Sequence, residues 1–205
     1  MESVQWDTLA TTITSHVLTF IRIRRHLRGC AYCYGVKELG RRALEKLEYL
    51  YELEHIGEER RNLIQGMACI EKVSALKRFL QEAIDGKGGY RKHEVQRVFG
   101  EVASNSIAQE FLVNFLIEKW EIIYARLGNH KLIKKVLDHC LKNISSKAQI
   151  MLVKQFRRHA PHARDFHTID KHIEAGEHRM MWLKKHSRKL VAFFKSYLKN
   201  ETIHS

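Results

Sequence analysis

The chain has 205 residues, enough to bury a sizeable core as one domain, and its 44% hydrophobic and 29% charged residues with a single proline, Pro161, favour an all-α protein over a sheet protein. No apolar run approaches the ~20 residues that span a bilayer, and the opening MESVQWDTLATTITSHVLTF lacks the basic start and small-residue cleavage site of a signal peptide, so the chain as given reads as soluble and without an export signal of its own. Net charge is +13, placed unevenly: five Lys/Arg against three Asp/Glu in residues 1–40, fourteen of each in 41–130, and seventeen against six in 131–205. Such a tail suits nucleic acid, anionic lipid or an acidic partner domain, although basic residues spread around helices are also how an ordinary solvated surface reads.

In chain order, residues 7–27 are amphipathic, with Val17, Leu18 and Ile21 backed by Arg22, Arg24, Arg25 and Arg28. A packed helix with a wet arginine face is the expectation, a membrane-surface helix the other reading. Gly29, Gly35 and Gly40 are expected to break the next stretch into short pieces. Leu44, Leu47, Leu50 and Tyr51 mark a helix ending near Gly57, and residues 58–69 another carrying Leu63, Ile64, Met67 and Ala68. Ser74 is the expected N-cap of a helix with Leu76, Phe79, Leu80, Ala83 and Ile84 inward, stopped at Asp85-Gly86. KGGY, residues 87–90, is a turn, and Val95, Val98, Phe99 and Val102 form the next helix.

Residues 103–128, ASNSIAQEFLVNFLIEKWEIIYARLG, organise the rest. Phe111, Leu112, Phe115 and Leu116 make one apolar face, continued by Trp120, Ile123 and Leu127, with Glu110, Glu118, Lys119 and Arg126 at polar positions. Ser104, Asn105 and Ser106 are candidate N-caps and Gly128 a C-terminal stop, which predicts one helix of about twenty residues. Ile133, Val136, Leu137, Cys140 and Leu141 follow. Ser145 or Ser146 then caps a helix that carries Ile150, Met151, Val153 and Phe156. Residues 159–170 are a polar loop, and residues 173–198 a long closing helix. Roughly eight to ten helices with short loops imply antiparallel pairs, arranged in a HEAT/armadillo-like right-handed superhelical array within a single domain over 1–205.

Four cysteines, Cys30, Cys33, Cys69 and Cys140, are too few and too scattered for a disulfide scaffold. Cys30-x-x-Cys33 lacks both the strand–turn–helix setting of a redox motif and the second pair of a zinc ribbon. His159 and His162 are three apart and His162, His167 and His172 recur at five, a spacing that fans them around a helix by about 140° per step, so surface histidines are expected rather than a metal site. KGGY and GVKELG lack the lysine–serine ending of a phosphate loop.

The series MACIEKVSALKRFLQEAIDG, YRKHEVQRVFGEVASN and FLVNFLIEKWEIIYARLG is similar to the C-terminal helical domain of aminopeptidase N-type zinc aminopeptidases. HIEAGEHRMMWLKKHSRKLVAFF resembles that family's closing helix, and AYCYGVKELG its "VYCxGVxxGG" segment, so the resemblance covers residues 28–198. Val113 and Asn114 stand where the family has Trp-Asp, and Ser106 replaces a proline. Cys33 and Cys69 fall at cysteine positions of the family. The usual downstream partner of Cys69 is missing, so Cys69 is expected as a buried small hydrophobe.

Family catalysis rests on H-E-x-x-H with a downstream glutamate, which hold zinc and activate its water. This chain has His93-Glu94 followed by Arg97 in the fifth position, and no G-A-M-E-N motif. The resemblance therefore implies a non-catalytic C-terminal domain, as a fragment or truncated paralogue, with zinc expected only in the family's catalytic domain and no cofactor here. Its expected partners are an aminopeptidase catalytic domain, a homodimer partner or a peptide. Arg126, Lys131, Lys134 and Lys135, after the central helix, are the candidates for holding a peptide's distal carboxylate, solvated charge being the plainer reading. The alternative is a free-standing basic α-solenoid binding nucleic acid or an acidic protein. Full-length family members are membrane-anchored, secreted or cytoplasmic, and the sequence does not choose among these.

Overall fold

Apolar residues at helical spacing become ten α-helices in the computed structural model, which describes residues 23–201, and no strand occurs among the described residues. Val17, Leu18, Ile21 and Arg22 lie outside them; Arg25–Leu27 forms a 3-10 turn. The described residues fall into two compact units, one ending at Cys140 and the other beginning at Leu141.

In the first unit, α1 (Arg28–Leu39), α2 (Arg41–Leu53) and α3 (Gly57–Met67) pack mutually. Gly29 and Gly35 do not break the chain, contrary to expectation. They lie inside α1, and only Gly40, in the left-handed region at φ 57°, ends it. The useful glycine is Gly66 on α3, where an added β-carbon would collide with Tyr32 on α1. Absence of a side chain there lets the two helices approach closely, and that approach brings Cys33 on α1 beside Cys69, at a Cα–Cα distance of 5.2 Å. Cys69 is thus not a buried unpaired hydrophobe: it forms a disulfide with Cys33 across 36 residues. Cys30, the other half of the C-x-x-C, is exposed and free.

Helix α4 (Val73–Asp85) begins one residue before Ser74 and takes Lys72 as its N-cap, so the expected serine cap is not used. Gly86 at φ 74° stops it as expected, and Gly88 and Gly89, both at positive φ, turn the chain into α5 (Lys92–Ala103). The central stretch is not one helix. Asn105 accepts from the Ile107 amide while its side-chain amide donates to the carbonyls of Ala68 and Ile70, which pins a 3-10 turn at Ser106–Glu110. Two short helices follow, α6 (Leu112–Glu118) and α7 (Trp120–Leu127), divided at Lys119. The apolar face survives the break: Phe111, Leu112, Phe115, Leu116, Trp120, Ile123 and Leu127 are all buried. Gly128 in the left-handed region closes α7, and α8 (His130–Leu141) buries Ile133, Val136 and Leu137.

In the second unit, Ser146 and Gln149 form a reciprocal cap at the start of α9 (Lys147–His159). Ile150, Val153 and Phe156 of α9 are buried, whereas Met151 is exposed. A 3-10 turn at Ala163–Asp165 leads to α10 (Thr168–Glu201), 34 residues long, whose first half packs on α9 through Ile169 and Ile173. Arg179 donates to the Ile144 carbonyl at 2.7 Å. Lys154–Glu177 and Arg157–Asp170 ion pairs tie the two helices along their edge.

Candidate functional site

The chemistry buried in the first unit is an ion-pair network centred on Arg60 of α3. Its Nε and Nη2 donate to the two carboxylate oxygens of Glu94 at 2.7 and 2.8 Å, the forked geometry that guanidinium and carboxylate favour. Nη1 donates to the carbonyls of Tyr51 and Glu54, and Nη2 also to that of Gly89. The side chains are only 4% and 8% exposed. Tyr51 donates its hydroxyl to Glu94, lies under the guanidinium at 3.9 Å and stacks on Tyr90 at 4.6 Å. Burial alone would raise the Glu94 carboxyl; the Arg60 guanidinium, the Arg91 amide and the Tyr51 hydroxyl outweigh it and hold the group at about 2. Burial pushes the Tyr51 and Tyr90 hydroxyls well above the ordinary phenol value. One side chain thereby joins the end of α2, the start of α5 and the KGGY turn.

Arg28, Tyr32 and Asn62 make a smaller cluster around Glu59, with Arg28 Nη1 at 3.0 Å from the carboxylate. Neither cluster is legible from the sequence, because the bonds that join its helices link residues 27 to 43 apart. The signal that hints at the larger one is the helix pattern itself: Arg60 and Glu94 fall on the apolar sides of their helices, where a lone charge needs a partner.

The four basic residues proposed from sequence do not form one group. Arg126 of α7 points back to the first unit's turn, its Nη2 donating to the Tyr90 carbonyl at 2.9 Å with the guanidinium against Gly86. Lys131, Lys134 and Lys135 share a face of α8; Lys134 pairs with Asp138 at 2.6 Å, while Lys131 and Lys135 are exposed. Two open hollows have charged walls. One, of about 580 Å³, lies beside the disulfide between Val36, Lys37, Arg41, Leu44, Ile70 and Arg78. The other, of about 370 Å³, lies over the Lys154–Glu177 and Arg157–Asp170 pairs.

His93-Glu94, the partial zinc motif, does not fit a metal. Glu94 is engaged by Arg60 and Tyr51, and Arg97 occupies the position of the second histidine. Among the described residues no three His, Cys, Asp or Glu side chains are placed to hold an ion. His162 and His167 instead lie 3.7 and 3.8 Å from Asp165 and Asp170 on the surface of the loop and helix that follow α9.

A buried ion-pair network and a disulfide from α1 to the turn after α3 define an all-α protein whose buried polar side chains join its helices. The family model described as "ERAP1-like C-terminal domain" matches residues 11–177, and the chain belongs to that family. It is 40% identical over 177 residues to a protein named Aminopeptidase N from Haemonchus contortus, an alignment that covers 85% of this chain and 18% of that relative. The chain thus spans less than a fifth of the length of the relative it matches. No described helix is long and apolar enough to cross a membrane.

Proposed function

We propose that this chain serves as the non-catalytic C-terminal helical domain of an aminopeptidase-family protein, packing against a catalytic domain and shaping peptide access to it. The observation that supports this is the 40% identity to Aminopeptidase N across 85% of the chain. In this reading the helices continue as antiparallel pairs of a HEAT/armadillo-like right-handed superhelix, and the domain also offers a surface to a homodimer partner. Arg126, Lys131, Lys134 and Lys135 are the side chains put forward for the distal carboxylate of a peptide, with Lys131 and Lys135 the exposed ones. Any zinc belongs to the catalytic domain.

Purified chain is expected to hydrolyse no aminoacyl-anilide above background and to retain no stoichiometric zinc. Added to an aminopeptidase N trimmed of its own C-terminal helical region, it is expected to bind and to change the relative rates on long and short peptides. Chelator-sensitive turnover by the chain alone, or failure to associate with the trimmed enzyme, would overturn the proposal.

A further inference from the structure

Two tripeptides of the chain have the form N-x-[ST], Asn143-Ile144-Ser145 and Asn200-Glu201-Thr202, and the second runs past the described residues. The first occupies the short loop between α8 and α9. There Asn143 is exposed and Ser145 half-buried, while Ile144 between them is 1% exposed. Ile144 anchors the loop. Its amide donates to the Leu141 carbonyl at 3.3 Å, its carbonyl accepts from Arg179, and Gly176 of α10 leaves room for its side chain.

Asn143 has no part in holding the fold. At turns asparagine ordinarily caps a helix, bonds nearby backbone or takes a left-handed conformation. Asn105 and Asn129 act in that way, accepting from the Ile107 and Leu132 amides. The cap of α9 comes instead from Ser146 and Gln149, and Asn143 is not at positive φ. Neither the Asn143 carboxamide nor the Ser145 hydroxyl has a hydrogen-bond partner among the described residues. Asn114 is also exposed, but it lies inside α6 and has no Ser or Thr two places on.

The Cys33–Cys69 disulfide is an independent observation that bears on the same loop. Disulfides persist in the secretory lumen and outside the cell and are rare in the cytosol. That lumen is where carbohydrate is joined to asparagine in N-x-[ST] loops.

We propose that Asn143 is an N-glycosylation site, receiving an oligosaccharide from a lipid-linked pyrophosphate donor. The Asn143 carboxamide nitrogen forms a bond to the anomeric carbon of the first sugar. The bond from that carbon to the pyrophosphate oxygen breaks, the lipid pyrophosphate leaves, and one amide proton passes to solvent. Ser145 provides the hydroxyl by which the acceptor is recognised. A glycan is bulky and hydrated, so it keeps the α8–α9 loop in water and bars a catalytic domain or a second copy from packing on it.

The test is mass spectrometry of the natural protein, captured with an antibody to this chain and treated with peptide-N-glycosidase in heavy-oxygen water. A glycosylated asparagine is then released as aspartate carrying the heavy oxygen, so Asn143 and Asn200 are read separately. Heavy label at Asn143 is expected. In the full chain exported from cultured cells behind an added leader, Asn143→Gln and Ser145→Ala are each expected to lose one glycan, and Ser145→Thr to keep it. Circular dichroism is expected to be the same for all three, because neither side chain is bonded within the fold. Unlabelled Asn143 in the natural protein, whether or not Asn200 is labelled, would overturn the proposal. An undiminished glycan content in Asn143→Gln, or free thiols at both Cys33 and Cys69 in the natural protein, would overturn it too.

Discussion

Replacing Arg60 by methionine keeps much of the side chain's bulk and removes its charge, leaving Glu94 buried without its partner. Three carbonyls, those of Tyr51, Glu54 and Gly89, lose a donor at the same time. Removing one member of a buried pair costs about 3–5 kcal/mol, a large part of the ~5–15 kcal/mol that holds a domain together. Arg78→Met is the control: Arg78 lies 2.6 Å from Glu48 but is half exposed, and its loss should cost under ~1 kcal/mol. Stability against pH supplies a second, independent readout. In the parent protein Glu94 titrates at about 2, below an unfolded glutamate. Its ionised form therefore contributes stability that is complete above the unfolded value and is lost as pH falls toward 2, on the order of 3 kcal/mol in all. In Arg60→Met only the Arg91 amide and the Tyr51 hydroxyl still oppose burial, so the carboxyl rises, and the stability lost as pH falls from about 7 toward 2 should be much smaller than in the parent. Adding Glu94→Leu to Arg60→Met should recover most of the loss, since replacing both partners of a buried pair by apolar groups is close to neutral. Urea melts followed by circular dichroism across this range check all of these. A loss below ~1 kcal/mol with an unchanged pH slope would refute the assignment of Arg60 as the junction of α2, α3 and α5.

Three further outcomes test the packing. Phe115→Ala should cost about 3–5 kcal/mol, because Phe115 is buried against Phe99, whereas Glu118→Ala on the exposed side should change stability by under ~0.5 kcal/mol; equal small shifts in denaturant melts would make the central stretch peripheral. Replacing Cys33 and Cys69 by serine should lower stability by about 2–4 kcal/mol, the ordinary contribution of a disulfide closing a loop of this size. A thiol reagent should modify exposed Cys30 in the native protein but reach Cys140 only on unfolding, since Cys140 is fully buried and burial pushes its thiol well up; rapid native labelling of two thiols would contradict this.

The sequence by itself determined what depends on near neighbours. Apolar side chains three and four apart define helix faces whatever lies against them, so the inward residues of α4, α5 and α8 were legible, as were the stops at Gly86 and Gly128, where only a left-handed residue ends the helix cleanly. The family resemblance, carried by the order of several segments, was legible too. Tertiary structure decided whatever depends on groups far apart in the chain. Gly29 and Gly35 read locally as breaks, yet packing of α1 on α3 outweighs their weak helix preference. The central stretch opens on a 3-10 turn and not a helix because Asn105 finds the Ala68 and Ile70 carbonyls, some 35 residues away in sequence. Cys33 meets Cys69, and Arg60 meets Glu94, only once helices α1, α3 and α5 are side by side; no spacing along the chain encodes those distances.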